Sequence, residues 1–135
     1  MRDILTGLEE LHRYSTIHRD IKPENIMFAT DDLNSLKIID FGVSAKFTSP
    51  NYNMEKFAVT AIYMAPEQAR KQGYNSKVDI WSCAMIMHQL ITGKHPLFEY
   101  GDSRTDYFQK LCNAKWSFNY RFPKHAKELF LKMAQ

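Results

Sequence analysis

A carboxylate, a cation and a carboxamide stand close together in the string His18-Arg19-Asp20-Ile21-Lys22-Pro23-Glu24-Asn25, and a second acidic site follows at Asp40-Phe41-Gly42. Between them lie two short β-type runs, 26–28 and 36–39, separated by the polar stretch ATDDLNS. That pattern predicts a small hairpin. A hairpin brings its two ends together, so Asn25 and Asp40 are expected side by side. A carboxylate paired with an amide oxygen makes a hard-donor site, suited to Mg²⁺ held jointly with phosphate oxygens. Asp20 is then near the metal and free to accept a proton.

The elements that must position these groups can be read along the chain. Ile4, Leu5, Leu8 and Leu11 recur at helical spacing with Arg2, Asp3, Glu9 and Glu10 on the other faces, which predicts an opening amphipathic helix. It begins without a capping sequence and is expected to be the stump of something longer. Residues 48–59 are polar, hold Pro50 and two asparagines, and read as a long surface loop. Pro66 is placed to open a short helix over 66–72, with Gly73 as its stop. Asp79 opens the most apolar helix, through Met85, Ile86, Leu90 and Ile91 to Gly93, with Pro96 just beyond. A helix apolar on so many sides belongs in a core. Two further amphipathic segments are expected at 106–113 and 126–134. The fold class is α+β, mainly α, in one domain over 1–135.

An apolar share of 44% with 13% aromatics suits a packed core and argues against disorder. The formal charge of +3 is spread without a Lys/Arg run, so no nucleic acid partner is expected. Cys83 and Cys112 lack metal-ligand spacing and read as reduced thiols of a cytoplasmic protein. The opening MRDILTGLEELHR is too charged for a signal peptide. The longest apolar stretch, 80–91, is interrupted by Ser82, His88 and Gln89 and is too short to span a bilayer, so no membrane partner is expected.

HRDIKPEN, DFG and YMAPE, in that order, resemble the catalytic loop, metal-binding motif and activation-segment end of eukaryotic-type protein kinases. DIWSCAMIMHQLITGKHPLF resembles the family's long central helix, and AKELFLKMA a later helix of the same lobe. The resemblance covers essentially the whole chain and implies a C-terminal lobe with its hairpin beside the catalytic loop and the N-terminal lobe absent. It implies that Asp20 is the base for the substrate hydroxyl, that Asn25 and Asp40 hold Mg²⁺ on the phosphates of ATP, and that Lys22 neutralises the transferring phosphoryl group. It makes Met27 the apolar floor beneath the adenine, His18 a structural ring stacked with Phe41, and Asp79 the buried anchor of the catalytic-loop backbone. Lys22 together with Thr60 is typical of Ser/Thr kinases. MEKFAVTAIYMAPEQA is most similar to the calcium- and calmodulin-dependent branch, with Val59 and Ala84 standing where glycine is usual.

Arg19 resembles the arginine that clamps a phosphorylated activation segment, but Lys56 occupies the usual acceptor position and leaves only Thr48 and Ser49. Control by loop phosphorylation is therefore not expected. Glu24 could attract a basic residue of a protein substrate, whereas Gln89 replaces a second acidic contact. Trp81, Met85 and Met87 are expected in the core. His12, His88, His95 and His125 have no partner identifiable from the sequence and are expected to be satisfied or solvated.

No G-x-G-x-x-G occurs in the chain, and the strand lysine of the N-terminal lobe is also missing. The arginine that pairs with Glu67 in the family would lie beyond Met133, so Glu67 is expected without that partner. Two functions follow. One is a Ser/Thr protein kinase that transfers phosphate from ATP to a protein hydroxyl, present here as an inactive fragment. The other is a lobe-only module that docks kinase substrates or partners without catalysis. The first is preferred, because every catalytic residue of this lobe is present.

Overall fold

A computed structural model describes residues 1–32, 35–47, 61–120 and 122–135. The loop expected over 48–59 and the readings on Thr48, Ser49, Lys56, Val59 and Thr60 lie outside the described residues. Helix α1, Arg2–Arg13, buries Ile4 and Leu8 on the stripe that its apolar spacing predicts. Strand β1, Thr16–Ile17, follows, and Pro23–Asn25 forms a 3₁₀ turn. The predicted hairpin is present as β2, Ile26–Phe28, and β3, Leu36–Ile38, antiparallel with Ile26 opposite Ile38 and Met27 opposite Lys37. Helix α1 lies on β3 at close range. A Cβ added at Gly7 would sit 3.3 Å from Ile38 Cδ1, so the missing side chain permits that approach.

A second sheet was not expected. Strand β4, Ala45–Lys46, pairs antiparallel with β1, placing Thr16 opposite Lys46 and Ile17 opposite Ala45. Two-residue strands carry no hydrophobic period, which is why the sequence pattern is silent about them.

A 3₁₀ turn at Ala61–Tyr63 leads into α2, Pro66–Ala69, whose Gln68 side chain returns to the Ala65 N–H at 3.0 Å. This helix is shorter than expected, and Lys71 turns the chain with φ +55°. Helix α3, Lys77–Thr92, begins earlier than Asp79 because Asn75 Oδ1 accepts the Lys77 N–H at 2.9 Å. It ends as predicted at Gly93, which holds a left-handed φ of +76°. Helix α4, Arg104–Cys112, also starts early, since Ser103 and Asp106 form a reciprocal capping box. Helix α5, Lys124–Met133, closes the order.

The core is built around α3, with Trp81, Met85 and Met87 buried as expected. Trp116, Phe118, Phe122 and Phe130 pack edge to face on one another, with Trp116 and Phe130 centroids 4.9 Å apart, and meet α3 through tilted contacts of Trp116 with Trp81 and of Phe122 and Phe130 with His88. Phe130 has no solvent exposure. Truncating such a ring to alanine typically costs ~3–5 kcal/mol. The described residues are thus mainly helical with two small antiparallel sheets, the fold class expected. Among them no helix is long and apolar enough to cross a membrane.

Candidate active site

The segment 18–25 leaves β1 and is held from below by α3. Asp79, in the first turn of that helix and 1% exposed, accepts the His18 N–H on Oδ2 at 2.9 Å and the Arg19 N–H on Oδ1 at 2.8 Å. The helix N-terminus favours a negative charge there as well. Arg19 adopts φ +71°, a left-handed conformation that costs a non-glycine residue ~1–3 kcal/mol and persists only where surroundings enforce it. Its side chain adds to the restraint, donating from Nε to the Val43 carbonyl at 2.5 Å.

Fully buried His18 accepts the Asp20 N–H on Nδ1 at 3.3 Å, so Nε2 carries the proton toward the Ile39 carbonyl 2.9 Å away. Its ring meets Phe41 edge-on with centroids 5.0 Å apart, the stacking that the resemblance implies. These contacts tie the 18–20 segment to the far end of the hairpin.

Asp20, Lys22 and Asn25 are drawn together by hydrogen bonds. Lys22 Nζ donates to Asp20 Oδ2 at 2.6 Å. Asn25 Nδ2 donates to the Asp20 carbonyl at 2.8 Å and to Oδ2 at 3.2 Å. The bond to Asp20 raises Lys22 above the ordinary lysine range, with desolvation acting the other way. Asn25 is also the bridge to the second acidic site, because its backbone carbonyl accepts the Ile39 N–H at 2.9 Å, next to Asp40. Asp40 holds φ +61° and accepts the Gly42 N–H on Oδ1 at 3.1 Å. Met27 points away from its strand neighbours by the two-residue alternation and is 52% exposed.

The apolar grooves lie elsewhere. One of about 400 Å³ runs between Met1, Ile4, Ile26, Phe28, Ile86 and Leu90, and another of about 250 Å³ between Ile4, Gly7, Leu11, Leu36, Ile38 and Phe41. Neither is lined by Asp20, Lys22, Asn25, Met27 or Asp40; Met27 and Asp40 are exposed, the Asp20 and Lys22 side chains are largely covered, and Asn25 is buried.

Some groups beside the site escape sequence reasoning. His12 has a partner after all: its Nε2 lies 2.8 Å from Asp79 Oδ2. The signal was available, since His12 continues the Ile4 and Leu8 stripe at four-residue spacing, where a polar residue needs a buried acceptor. Gln89 Oε1 accepts the Tyr63 hydroxyl at 3.0 Å, tying α3 to the YMAPE segment, and Ser82 Oγ donates to the Tyr63 carbonyl at 2.8 Å. His88 meets the Lys94 carbonyl at 2.9 Å through Nδ1. Glu67 is half-buried, and among the described residues its carboxylate forms no ion pair. Cys83 is buried in the core, which pushes its thiol up to about 12 and makes it unreactive.

The protein kinase domain pattern matches residues 1–135. A Dictyostelium discoideum protein named Probable myosin light chain kinase is 38% identical over 118 residues, 87% of this chain and 24% of its own length. The calcium/calmodulin-dependent protein kinase cmkA of Emericella nidulans is 33% identical over 140 residues, spanning 100% of this chain and 33% of the relative. Calcium-dependent protein kinase 4 of Plasmodium berghei is 35% identical over 139 residues, 98% of this chain and 26% of the relative. The chain therefore spans between about a quarter and a third of the length of these relatives. By a match that runs its full length, it belongs to the protein kinase domain family.

Proposed function

We propose that this chain carries the phosphoryl-transfer machinery of a cytoplasmic Ser/Thr protein kinase, acting from ATP and Mg²⁺ on a serine or threonine hydroxyl of a protein substrate. The observation that carries the reading is the convergence of Asp20, Lys22 and Asn25 in one hydrogen-bonded cluster, with Asp40 brought alongside by the Asn25–Ile39 backbone bond. The names of the relatives, all protein kinases, support the same reading.

The donors fit the ligand. Asn25 spends its amide nitrogen on Asp20 and keeps its amide oxygen, a hard donor like the Asp40 carboxylate. Among the described residues no three His, Cys, Asp or Glu side chains cluster as a dedicated metal cage. One carboxylate and one amide oxygen instead suit a cation whose remaining positions are filled by phosphate and water. When bound, Mg²⁺ supplies charge neutralisation on the phosphates.

The chain's own residues would do the rest. Asp20 orients the acceptor hydroxyl and takes its proton as the oxygen attacks. Lys22 offers its ammonium to the transferring phosphoryl group, at hydrogen-bond distance from Asp20. Exposed Met27 offers an apolar floor to the adenine. Such chemistry needs positioning and electrostatic stabilisation more than covalent help.

The test uses the complete kinase. Asp20→Asn and Asp40→Asn should each lower turnover by roughly 100-fold or more. Asp20→Asn should spare Mg-ATP binding more than Asp40→Asn does, because of the two only Asp40 is expected to touch the metal–nucleotide complex. Turnover equal to the parent in either variant would overturn the assignment.

A further inference from the structure

The anchor beneath the catalytic loop has three donors, not two. Asp79 takes the His18 and Arg19 amides, and His12 brings its Nε2 to Oδ2 at 2.8 Å from the last turn of α1. A carboxylate only accepts, so His12 must present its proton on Nε2. No lysine or arginine among the described residues pairs with Asp79, and His12 is the basic side chain there that meets its carboxylate. The two amides belong to the two residues before Asp20, and Arg19, which joins His18 to Asp20, is in the left-handed conformation.

We propose that His12 is a positioning residue for the phosphoryl transfer proposed above. By holding Oδ2, the ring fixes the rotation of the Asp79 carboxylate, so that Oδ1 stays aimed at the Arg19 N–H. That keeps Arg19 in its left-handed state and Asp20 in its place between Lys22 and Asn25. Packing alone does not call for a histidine here, since leucine would fill the same stripe. A polar ring whose side chain is only 17% exposed, set against a carboxylate that is 1% exposed, is chosen for its hydrogen bond. The inference rests on the kinase reading for what Asp20 does, and on the hydrogen bonds alone for how Asp20 is held.

The test reads the loop without nucleotide. In ¹⁵N-resolved spectra of the 135-residue chain, the His12 ring should be protonated at Nε2; a bare Nε2 overturns the proposal whatever the variants do. In amide exchange, His12→Leu should speed the His18 and Arg19 amides about tenfold or more relative to the Met85 and Ile86 amides of α3, as expected for losing a hydrogen bond to a charged group. His12→Gln, which places an N–H near the same point, should return both amides to within about threefold of the parent. Equal acceleration throughout the molecule, or no rescue by glutamine, would reduce His12 to a structural residue and overturn the proposal. In the complete kinase, His12→Leu should lower kcat and leave the KM for ATP near the parent value. If the exchange pattern appears and neither His12→Leu nor Asp20→Asn affects turnover, the kinase reading has failed while the restraint on the loop stands.

Discussion

The side-chain amide of Asn25 donates to the backbone oxygen of Asp20 at 2.8 Å, so the proposed metal ligand also holds the proposed base. Asn25→Asp separates those duties. The new carboxylate is a stronger ligand for a cation, but it faces the Asp20 carbonyl and Oδ2 with no hydrogen to offer. Turnover of the complete kinase should fall roughly 10- to 100-fold, the scale of a small misplacement of reacting groups. Steady-state assays against Mg²⁺ concentration check this. Unchanged kcat at saturating Mg²⁺ would show that ligation alone matters at this position.

Gly42 stands against the Asp40 carboxylate. A Cβ built there would lie 3.1 Å from Oδ1, while the backbone of Gly42 is outside the left-handed region, so alanine meets a steric obstacle and no torsional one. Gly42→Ala should leave the melting temperature within a few degrees and turn the carboxylate aside, weakening Mg-ATP binding to the complete kinase several-fold. Calorimetric titration would show it, and equal affinity would mean that Asp40 does not touch the metal.

His95 makes stability depend on pH. Its Nδ1 accepts the Leu97 and Phe98 amides, and burial lowers the imidazole to about 4, against a smaller opposing contribution from the Ile62 backbone. The folded value lies below the ordinary 6.5, so the neutral ring's contribution is complete above pH 6.5 and is lost as pH falls toward 4. Allowing for partial solvent access, the loss across that window is roughly 2 kcal/mol. Urea midpoints at pH 7 and pH 5 should differ in the parent and converge in His95→Asn, which keeps an acceptor and removes the titration. A slope equal in both proteins would assign the effect elsewhere.

The exposure of Met27 and Asp40 predicts little activity from these residues alone. Adenine would rest on a half-exposed Met27 with nothing described above it, and neither apolar groove contains the polar cluster. Tight small-molecule sites bury most of their ligand. Calorimetry of the 135-residue chain with Mg-ATP should show weak binding, and a radiolabel assay on a Ser/Thr peptide no turnover. Micromolar binding with turnover that Asp20→Asn abolishes would contradict this.

What could be read from the sequence was whatever repeats along a helix or strand. The Ile4 and Leu8 stripe, the hairpin and the apolar run of α3 are periodic, and they appear where the periodicity places them. The expected nearness of Asn25 and Asp40 follows from the hairpin in the same way. Helix starts moved where a local cap overrides the apolar pattern, as Asn75 does for α3 and Ser103 for α4. The His12 pairing joins residues 67 positions apart, and no local pattern names its acceptor. The β1–β4 pairing is beyond reach for a related reason, since its strands are too short for a period and its partners are distant in the chain.

That pairing closes a noose. Thr16 and Ile17 lie against Lys46 and Ala45, and all five proposed site residues hang in the stretch between them. The knot is small, with the Phe47 N–H to Ser15 carbonyl bond at 2.9 Å just beyond it and the Lys46 ammonium on the Tyr14 carbonyl at 2.9 Å. The proposed base, phosphoryl clamp and metal ligands are thereby gathered into one lasso, fastened at the neck by a few backbone bonds and held from α3 by Asp79. Slackening the neck would loosen the chemistry as a unit while the helical core behind it stayed folded.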